Sequence, residues 1–307
     1  MRHVFIVNPV AGPKNSVETL RDKLKQAFPA EDYEFFETAG AGDARRLAEE
    51  AIAASVEPVR LYACGGDGTL NEVVNGAAGC DYAAVTNVPM GTGNDFLRLY
   101  GRKGRERFSD LAALRDGPQR AMDLMDCNGL LGINTVCTGV DARVAAEVHN
   151  YKRIPFIGKK MAYILSLIVN VFFKGITRYM RIHMGPHTQD GPTAILCVCN
   201  GQYYGGGFRP MAEARPDDGV LDMILVGDVS LLRFARYVHK YSNGRYKELP
   251  EDVVKAWHGD AVTVSSDQEL VAVVDGETMY GKDFTIRLSE RKVNFFYPAG
   301  VEIEAET

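Results

Sequence analysis

A glycine-rich segment that contains one aspartate, residues 64–72, is the first part of the chain whose residue types could do chemistry. Its glycines would let the backbone approach a ligand closely, and the helix predicted after them would offer unpaired N–H groups to an anion. Asp67 would repel a bare phosphate, so it is better suited to a metal ion that a phosphate carries. The alternative is a tight strand–helix turn with a capping aspartate, and this segment alone favours neither.

A second glycine-rich segment, residues 89–96, repeats this pattern after the next predicted strand and carries Asp95. Residues 8–12 end the first predicted strand at the same edge of the sheet. Because ligands of parallel α/β sheets bind at the carboxyl ends of the strands, the three segments are expected to converge on one crevice. None of them is a Walker A loop, since the chain contains no such pattern.

Three aspartates lie close together in a later predicted turn, residues 214–222. Asp217, Asp218 and Asp222 would repel one another, and a divalent ion bound by oxygen ligands would offset that cost. The alternative is an ordinary hairpin, because Asp-Gly turns commonly start hairpins.

Two further carboxylates flank a glycine after a predicted apolar strand, in the sequence Asp275-Gly276-Glu277. The segment is consistent with a simple hairpin turn. It is also consistent with a general base, since a carboxylate at a strand end could accept a proton from a substrate.

The elements that would position these residues change character along the chain. Strands at 3–7, 33–36, 59–64 and 83–88 alternate with helices, which predicts parallel βαβ units. From about Arg120 the strands outnumber the helices and many alternate with period two, as in an antiparallel sheet. The expected fold is an α/β domain at 1–122, to which residues 290–307 could return, and a β-rich domain at 123–289. In that second part we predict strands at 121–125, 261–264 and 270–274, among others, and helices at 161–173 and 231–241.

Composition limits the class of protein. The chain has 307 residues, 46% of them hydrophobic, and a net charge of −5, which argues against a surface built wholly to bind nucleic acid. Six cysteines without a C-x-x-C pair are expected to be free thiols of a reduced cytoplasmic protein. The apolar run at the start is too short for a signal peptide, and residues 161–173 are too short to span a bilayer. We therefore expect a soluble or peripheral protein.

The apolar segment 161–173 has two interpretations. Lysines and arginines flank it, which would suit a helix that faces lipid and is drawn to anionic headgroups. A core helix that covers the sheet is slightly favoured, because a helix that is apolar all round is usually buried. The flanking cations are Lys152, Arg153, Lys159, Lys160 and Lys174.

Taken in order, the motifs resemble those of the diacylglycerol kinase catalytic-domain family, in particular its soluble bacterial lipid kinases, which are similar to sphingosine and ceramide kinases. The Gly-Gly-Asp-Gly-Thr motif at 65–69 is shared with NAD kinases and phosphofructokinases. The Gly-Thr-x-Asn-Asp-Phe motif at 91–96 and the Asp-Gly-x-Leu-Asp motif at 218–222 are not typical of those enzymes. The set is therefore specific, and it extends over nearly the whole chain.

The resemblance implies a nucleotide-binding first domain, similar to that of NAD kinase and phosphofructokinase, and a lipid-substrate second domain. It implies a kinase of phospholipid biosynthesis that uses ATP and Mg²⁺ to transfer the γ-phosphoryl group to a lipid hydroxyl, with diacylglycerol as the expected acceptor and phosphatidic acid as the product. The expected location is cytoplasmic, and peripheral at the membrane during turnover. The expected partner is a lipid at a membrane surface and not a nucleic acid. Whether the chain forms a homodimer is left open.

The resemblance also assigns roles to residues. Asp67 and Asp95 match acids that organise the catalytic magnesium, and Asp275 or Glu277 would be the proton acceptor. Asp218 would bind a second metal ion with the carbonyls of Arg215 and Val220. One departure is Pro13, which stands where relatives usually have a basic residue. The positions that match nucleotide-holding residues are Asn8, Pro9, Val10, Ala11, Gly12, Thr38, Gly65, Gly66, Asp67, Gly68, Thr69, Leu70, Asn71, Glu72 and Thr92.

Two other functions stay open. A kinase similar to NAD kinase or phosphofructokinase would share residues 65–69 and phosphorylate a soluble substrate. A non-catalytic lipid-binding relative would keep the fold without turnover. The intact set of acids, Asp67, Asp95, Asp275 and Glu277, counts against the non-catalytic alternative.

Overall fold

A computed structural model describes residues 1–30, 32–91, 93–152, 165–166 and 168–303 of the chain. It divides into two compact units. Unit 1 comprises Met1–Leu124, Pro216–Asp218 and Ser289–Thr307, and unit 2 comprises Met125–Arg215 and Gly219–Leu288. Each unit is therefore assembled from separate stretches of chain.

The elements are numbered in chain order. Unit 1 contains β1 (Arg2–Val7), α1 (Ser16–Ala27), β2 (Glu34–Glu37), α2 (Asp43–Ala53), β3 (Val59–Gly65), α3 (Asp67–Ala77), β4 (Ala83–Pro89), a 3₁₀ helix (Phe96–Tyr100), α4 (Gly104–Arg107), α5 (Leu111–Arg115) and β5 (Gln119–Met122). Unit 2 contains β6 (Met125–Cys127), β7 (Leu130–Gly132), β8 (Thr135–Gly139), α6 (Val140–Lys152), a π-helical turn (Val169–Phe173), β9 (Arg178–Met184), β10 (His187–Thr193), β11 (Ile195–Cys199), β12 (Leu221–Val226), α7 (Leu231–Tyr241), a 3₁₀ turn (Tyr246–Glu248), β13 (Val254–Gly259), β14 (Ala261–Val274) and β15 (Glu277–Leu288). The chain then returns to unit 1 as β16 (Val293–Phe296).

Unit 1 is built on a six-stranded sheet in the order β2-β1-β3-β4-β16-β5. All neighbouring strands are parallel except the pair of β16 and β5. Apolar side chains of β1 and β3 are fully buried, and Phe5 stacks on Tyr62 at a ring-centroid distance of 4.0 Å. Because β1, β3 and β4 run in one direction, the segments that follow them lie at one edge of the sheet.

Unit 2 is built on an antiparallel sheet in the order β13-β12-β11-β8-β14-β15-β6-β7, with β9 pairing both β10 and β14. Alternate residues of β11 enter two different cores, Leu196 in one and Ile195 and Cys197 in the other. This is the period-two pattern of a strand buried on both faces. The two fold classes expected from the sequence, parallel α/β and then antiparallel β, are confirmed.

Several elements differ from the prediction. Residues 121–125 do not form one strand, because the chain leaves the sheet of unit 1 after Met122 and enters that of unit 2 at Met125. The predicted strands 261–264 and 270–274 are one strand, β14, with a register shift between Ser265 and Leu270. The strand β10 was missed, since Gly191 and Pro192 lie within it. Helix α7 has the predicted bounds.

The segment 161–173 is only partly within the described residues. Residues 161–164 and 167 lie outside them, as do Arg153, Lys159 and Lys160, and the side chain of Lys152 is likewise not described. Of the remainder, Val169–Phe173 forms the π-helical turn, with Phe173 exposed. Within the part of the chain that the structure describes, no helix is both long enough and apolar enough to cross a membrane.

Candidate nucleotide-binding cleft and the carboxylates of unit 2

A cavity of about 310 Å³ opens at the carboxyl edge of the sheet of unit 1. The loop after β1, the loop between β2 and α2, and the start of α3 line it. Of the residues predicted to hold a nucleotide, the cavity brings together Asn8, Pro9, Val10, Thr38, Gly68, Thr69 and Glu72. Thr92 lies outside the described residues.

The loop after β1 is tied to the start of α3 through Asn8. Its side-chain oxygen accepts a hydrogen bond from the N–H of Val10 at 3.1 Å, and its amide donates to Thr69 Oγ1 at 3.4 Å. The N–H of Ala11 donates to the carbonyl of Asn8 at 3.1 Å. Asn8 therefore shapes one wall of the cavity.

Gly12 lies where a side chain does not fit. Its φ is +79°, and a Cβ atom there would be 2.4 Å from the carbonyl oxygen of Met90. The loop after β1 thus packs directly against the segment after β4.

We expect Gly12→Ala to destabilise the fold by about 1–3 kcal/mol, because a left-handed non-glycine residue is strained and the contact with Met90 must open. Nucleotide affinity should fall with it, since Gly12 belongs to the loop after β1, whose residues Asn8, Pro9 and Val10 line the cavity. Denaturant unfolding and ATP titration measure the two effects. Gly40→Ala is the stability control, because no atom lies within 4 Å of its added Cβ. Equal stability of the two variants would contradict the expectation.

Asp67 joins the two glycine-rich segments. Its Oδ2 accepts a hydrogen bond from the N–H of Asn94 at 2.8 Å, and its Oδ1 accepts one from the N–H of Asp95 at 2.6 Å. A Cβ atom on Gly93 would lie 2.5 Å from Asp67 Oδ2, so only glycine permits this approach. The predicted magnesium ligand is therefore also the brace of the second segment.

The second segment has its own internal support. Asn94 has a φ of 55°, and its side-chain amide donates to the carbonyl of Gly91 at 2.9 Å. Asp95 is 5% exposed and pairs with Arg98 at 3.0 Å. Gly91 packs against Gly66, since a Cβ atom on Gly91 would lie 2.7 Å from the Cα atom of Gly66. The two predicted magnesium acids are thus held in one rigid pair of loops.

Glu72 holds the opposite wall of the cavity. Its carboxylate accepts hydrogen bonds from the N–H groups of Gly42 at 2.8 Å and Ala44 at 3.0 Å, at the beginning of α2. Asp43, the first residue of α2, accepts a hydrogen bond from the N–H of Ala39, and that bond lowers the pKa of its carboxyl group. Helix α2 is therefore capped by a residue of α3.

The beginning of α3 suits a phosphate. Gly68 and Thr69 belong to the first turn of this helix and line the cavity. First-turn N–H groups have no partner within a helix, and the helix dipole favours an anion there. The carboxylates of Asp67 and Asp95 are the oxygen ligands that Mg²⁺ takes. The groups at the beginning of α3 therefore fit a polyphosphate, and the roles of Asp67 and Asp95 as magnesium ligands stay a prediction.

The two late carboxylates have different surroundings within unit 2. Asp275 and Gly276 form a two-residue turn, with φ of 48° and 100°, between β14 and β15. The carboxylate of Asp275 accepts the N–H groups of Ile133 at 2.7 Å, Thr135 at 2.8 Å and Asn134 at 3.1 Å. Glu277 is exposed at the start of β15. Asp275 therefore organises the segment before β8, whereas Glu277 is accessible.

Two aspartates of the predicted second metal site have side-chain partners, and the partner of Asp217 is a cation. Asp217 pairs with Arg120 at 2.5 Å within unit 1, and Asp222 pairs with His258 at 2.5 Å within unit 2. The mutual repulsion expected from the sequence is thus smaller than three bare carboxylates would give. Among the described residues no three His, Cys, Asp or Glu side chains could hold a metal ion. A site that uses Asp218 with the carbonyls of Arg215 and Val220 stays a prediction.

Sequence reasoning missed a second cavity of about 310 Å³, within unit 2. Among the described residues that line it, Asp141, Tyr204 and Tyr241 carry polar groups and the others are apolar. Burial raises the pKa of Asp141 to about 6. The available signal was an aspartate in the run Thr-Gly-Val-Asp at 138–141, which is easily mistaken for an ordinary first-turn acid of a helix.

Comparisons with known proteins cover both units. Residues 2–127 match the family model of the diacylglycerol kinase catalytic domain, and residues 134–294 match that of the YegS C-terminal NAD kinase beta sandwich-like domain. A protein of Pseudomonas aeruginosa described as "probable lipid kinase YegS-like" is 36% identical over 193 residues, which cover 60% of this chain and 59% of that protein. One of the same description from Pseudomonas syringae pv. syringae is 29% identical over 92% of this chain and 88% of its own. The crystal structure of a diacylglycerol kinase from Bacillus anthracis strain Sterne aligns with a TM-score of 0.71 at 20% identity over 98% of each chain, a likeness of fold.

Proposed function

The chain belongs to the diacylglycerol kinase catalytic-domain family, in its YegS-like branch, and from this we propose that it is an ATP-dependent lipid kinase. The observation that carries the proposal is the pair of glycine-rich loops that Asp67 locks together beside the beginning of α3. The proposed reaction transfers the γ-phosphoryl group of ATP to the hydroxyl of diacylglycerol and yields phosphatidic acid. The lipid acceptor places the enzyme at a membrane surface during turnover.

Residues of unit 1 would hold the nucleotide. The N–H groups at the beginning of α3 bind and orient the phosphates, and Asn8 and Glu72 keep the two walls of the cavity in place. Asp67 and Asp95 would hold Mg²⁺, which when bound neutralises charge on the β- and γ-phosphate oxygens. The rigidity of these loops favours the reaction because the charged groups need not rearrange.

We assign the proton acceptor to Glu277. The two oxygens of Asp275 already accept three backbone N–H groups, so Asp275 is a positioning residue for the segment at 133–135. Glu277 follows it on an exposed strand end, where a carboxylate can reach a substrate hydroxyl. The alternative of a soluble substrate is less favoured, because unit 2 contains a largely apolar cavity.

The purified full chain should convert dispersed diacylglycerol to phosphatidic acid with ATP and Mg²⁺, and should leave NAD unchanged. Parallel reactions with diacylglycerol, sphingosine and NAD, analysed by mass spectrometry, measure this. Sphingosine phosphate as the sole product would still indicate a lipid kinase, with sphingosine and not diacylglycerol as its substrate. Phosphorylated NAD without any lipid product would overturn the proposal in favour of a soluble acceptor. Nucleotide binding without any product would indicate a non-catalytic relative.

A further inference from the structure

Three buried thiols meet on two neighbouring strands of unit 2. They belong to Cys137 on β8 and to Cys197 and Cys199 on β11, and each of these residues is at most 4% exposed. The Sγ atom of Cys137 is 3.1 Å from that of Cys197, which is 3.5 Å from that of Cys199. The proposed phosphoryl transfer uses none of these thiols, so their proximity needs another explanation.

The register of the two strands places one pair of thiols in the geometry of a disulfide. Cys137 and Cys197 lie directly opposite each other. The N–H of Asn200 donates to the carbonyl of Asn134 at 2.9 Å, which marks a hydrogen-bonded pair three positions away. Because the two kinds of pair alternate in an antiparallel ladder, Cys137 and Cys197 form a non-hydrogen-bonded pair, whose Cα atoms are about 4.5 Å apart. Disulfides join Cα atoms that are about 4.4–6.8 Å apart, so this pair can be linked without moving the strands.

The third thiol is less suitable for a link. Cys199 is two residues from Cys197 on the same strand, and this spacing separates their Cα atoms by about 6.6–6.8 Å, the upper limit for a disulfide. The residue opposite Cys199 is Thr135, which has no sulfur atom. The strands therefore select Cys137 and Cys197 from the three cysteines.

The pair is shielded from large reagents. Ile195, which lines the cavity of unit 2, is two residues from Cys197, and both belong to the same core. The cavity thus leads a small uncharged molecule to within one step of the pair along β11. Burial raises the pKa values of both thiols, so little of the reactive thiolate is present and the pair reacts slowly. A small oxidant such as a peroxide suits this site better than a bulky disulfide.

We propose that Cys137 and Cys197 form a reversible oxidation site, at which a peroxide converts the two thiols into a disulfide that links β8 to β11. The sulfur of one cysteine attacks a peroxide oxygen and the O–O bond breaks, so that a sulfenic acid forms and the thiol proton leaves with the second oxygen as water. The other thiol then attacks the sulfenic sulfur, and its proton leaves with the hydroxyl group as a second water. Two sulfurs are oxidised and one hydrogen peroxide is reduced. A thiol reductant reverses the link by exchange.

Treatment of the reduced full chain with hydrogen peroxide tests the proposal. Alkylation in denaturant followed by mass spectrometry counts the remaining thiols, and tryptic mapping locates the link. We expect two of the six thiols to be lost together, at a rate independent of protein concentration, and a thiol reductant to restore both. A link between any other two cysteines would overturn the site. So would the absence of a link at a dose that oxidises the partly exposed Cys80.

Three alanine variants identify the thiols that react. Cys137→Ala and Cys197→Ala should each abolish the link, whereas Cys199→Ala, the matched control at an equally buried position of β11, should retain it. Circular dichroism shows whether each variant is folded. Loss of the link in a folded Cys199→Ala variant would contradict the choice of pair.

Two measurements on the natural chain need no variant. Peroxide applied in denaturing urea should give mixed links among several cysteines, because the pairing depends on the sheet, and the same single link in the unfolded chain would contradict this. The linked chain should unfold at a higher urea concentration than the reduced chain, since a disulfide restricts the unfolded state. A lower midpoint for the linked chain would show that the link does not fit the sheet. All of these results are independent of the proposed kinase activity.

Discussion

Asp67→Asn is expected to lower kcat/KM for ATP by at least ~10²-fold. Asparagine keeps the shape of the side chain but has only one oxygen, so one of the N–H groups of Asn94 and Asp95 would face an amide N–H. Both of these residues are almost fully buried, and an unsatisfied buried N–H group costs about 1–3 kcal/mol, or about 5–150-fold. The lost negative charge also removes a candidate ligand of Mg²⁺.

The matched control for this variant is Asp110→Asn. Asp110 caps α5 in the same unit, where its Oδ1 accepts the N–H of Ala113 at 3.1 Å, outside the cavity. Asparagine is an equally good cap, so this variant should retain activity. Steady-state kinetics at varied ATP and circular dichroism of both variants make the comparison. Activity of a folded Asp67→Asn variant within threefold of the natural chain would show that these loops do not hold the nucleotide.

Glu277→Gln is expected to slow the transfer step about 10²–10⁴-fold, the usual contribution of general-base catalysis. The amide keeps the size of the side chain and cannot accept the proton. Nucleotide affinity should stay unchanged, because the predicted nucleotide residues belong to unit 1. Single-turnover transfer from saturating ATP measures the step, and a separate titration measures ATP binding.

Two other variants test whether the slower transfer step is specific to Glu277. Glu269→Gln makes the same exchange at an exposed position of β14 and should leave the transfer rate unchanged. Asp275→Asn should lower stability by about 1–3 kcal/mol, because an amide cannot accept the N–H groups of Ile133, Asn134 and Thr135 as the carboxylate does. If Glu277→Gln retains the natural rate while Asp275→Asn loses it without loss of stability, the two roles are reversed.

Short-range patterns in the sequence predicted much of the fold. Strand β1, helix α7 and the turn at Asp275 and Gly276 each follow from residues within a few positions of one another. The split of residues 121–125 and the fusion of two predicted strands into β14 could not be anticipated. Both depend on which sheet the chain joins, and distant partners decide that.

The candidate site could likewise be predicted only where the signal lies in nearby residues. The spacing of glycines and acids identified the segments that meet, but not what each acid does there. Asp67 bonds to N–H groups 27 and 28 positions away, and the carboxylate of Asp275 to N–H groups 140 to 142 positions away. Asp141 was missed for a related reason, because its partner Tyr204 lies 63 positions further along the chain and only folding brings the two together.

The position of β16 has a consequence for biosynthesis. This strand fills the gap between β4 and β5, and Asn294 donates to the carbonyl of Ala83, 211 positions earlier. At about 5–20 residues per second, a ribosome needs about 10–40 s to make that stretch of chain. Throughout this time the edge of β4 that β16 later covers is unpaired, a known hazard for pairing with other nascent chains. A fragment ending at Leu124 would keep that edge permanently and should aggregate on expression, so the site of unit 1 is best studied in the whole chain.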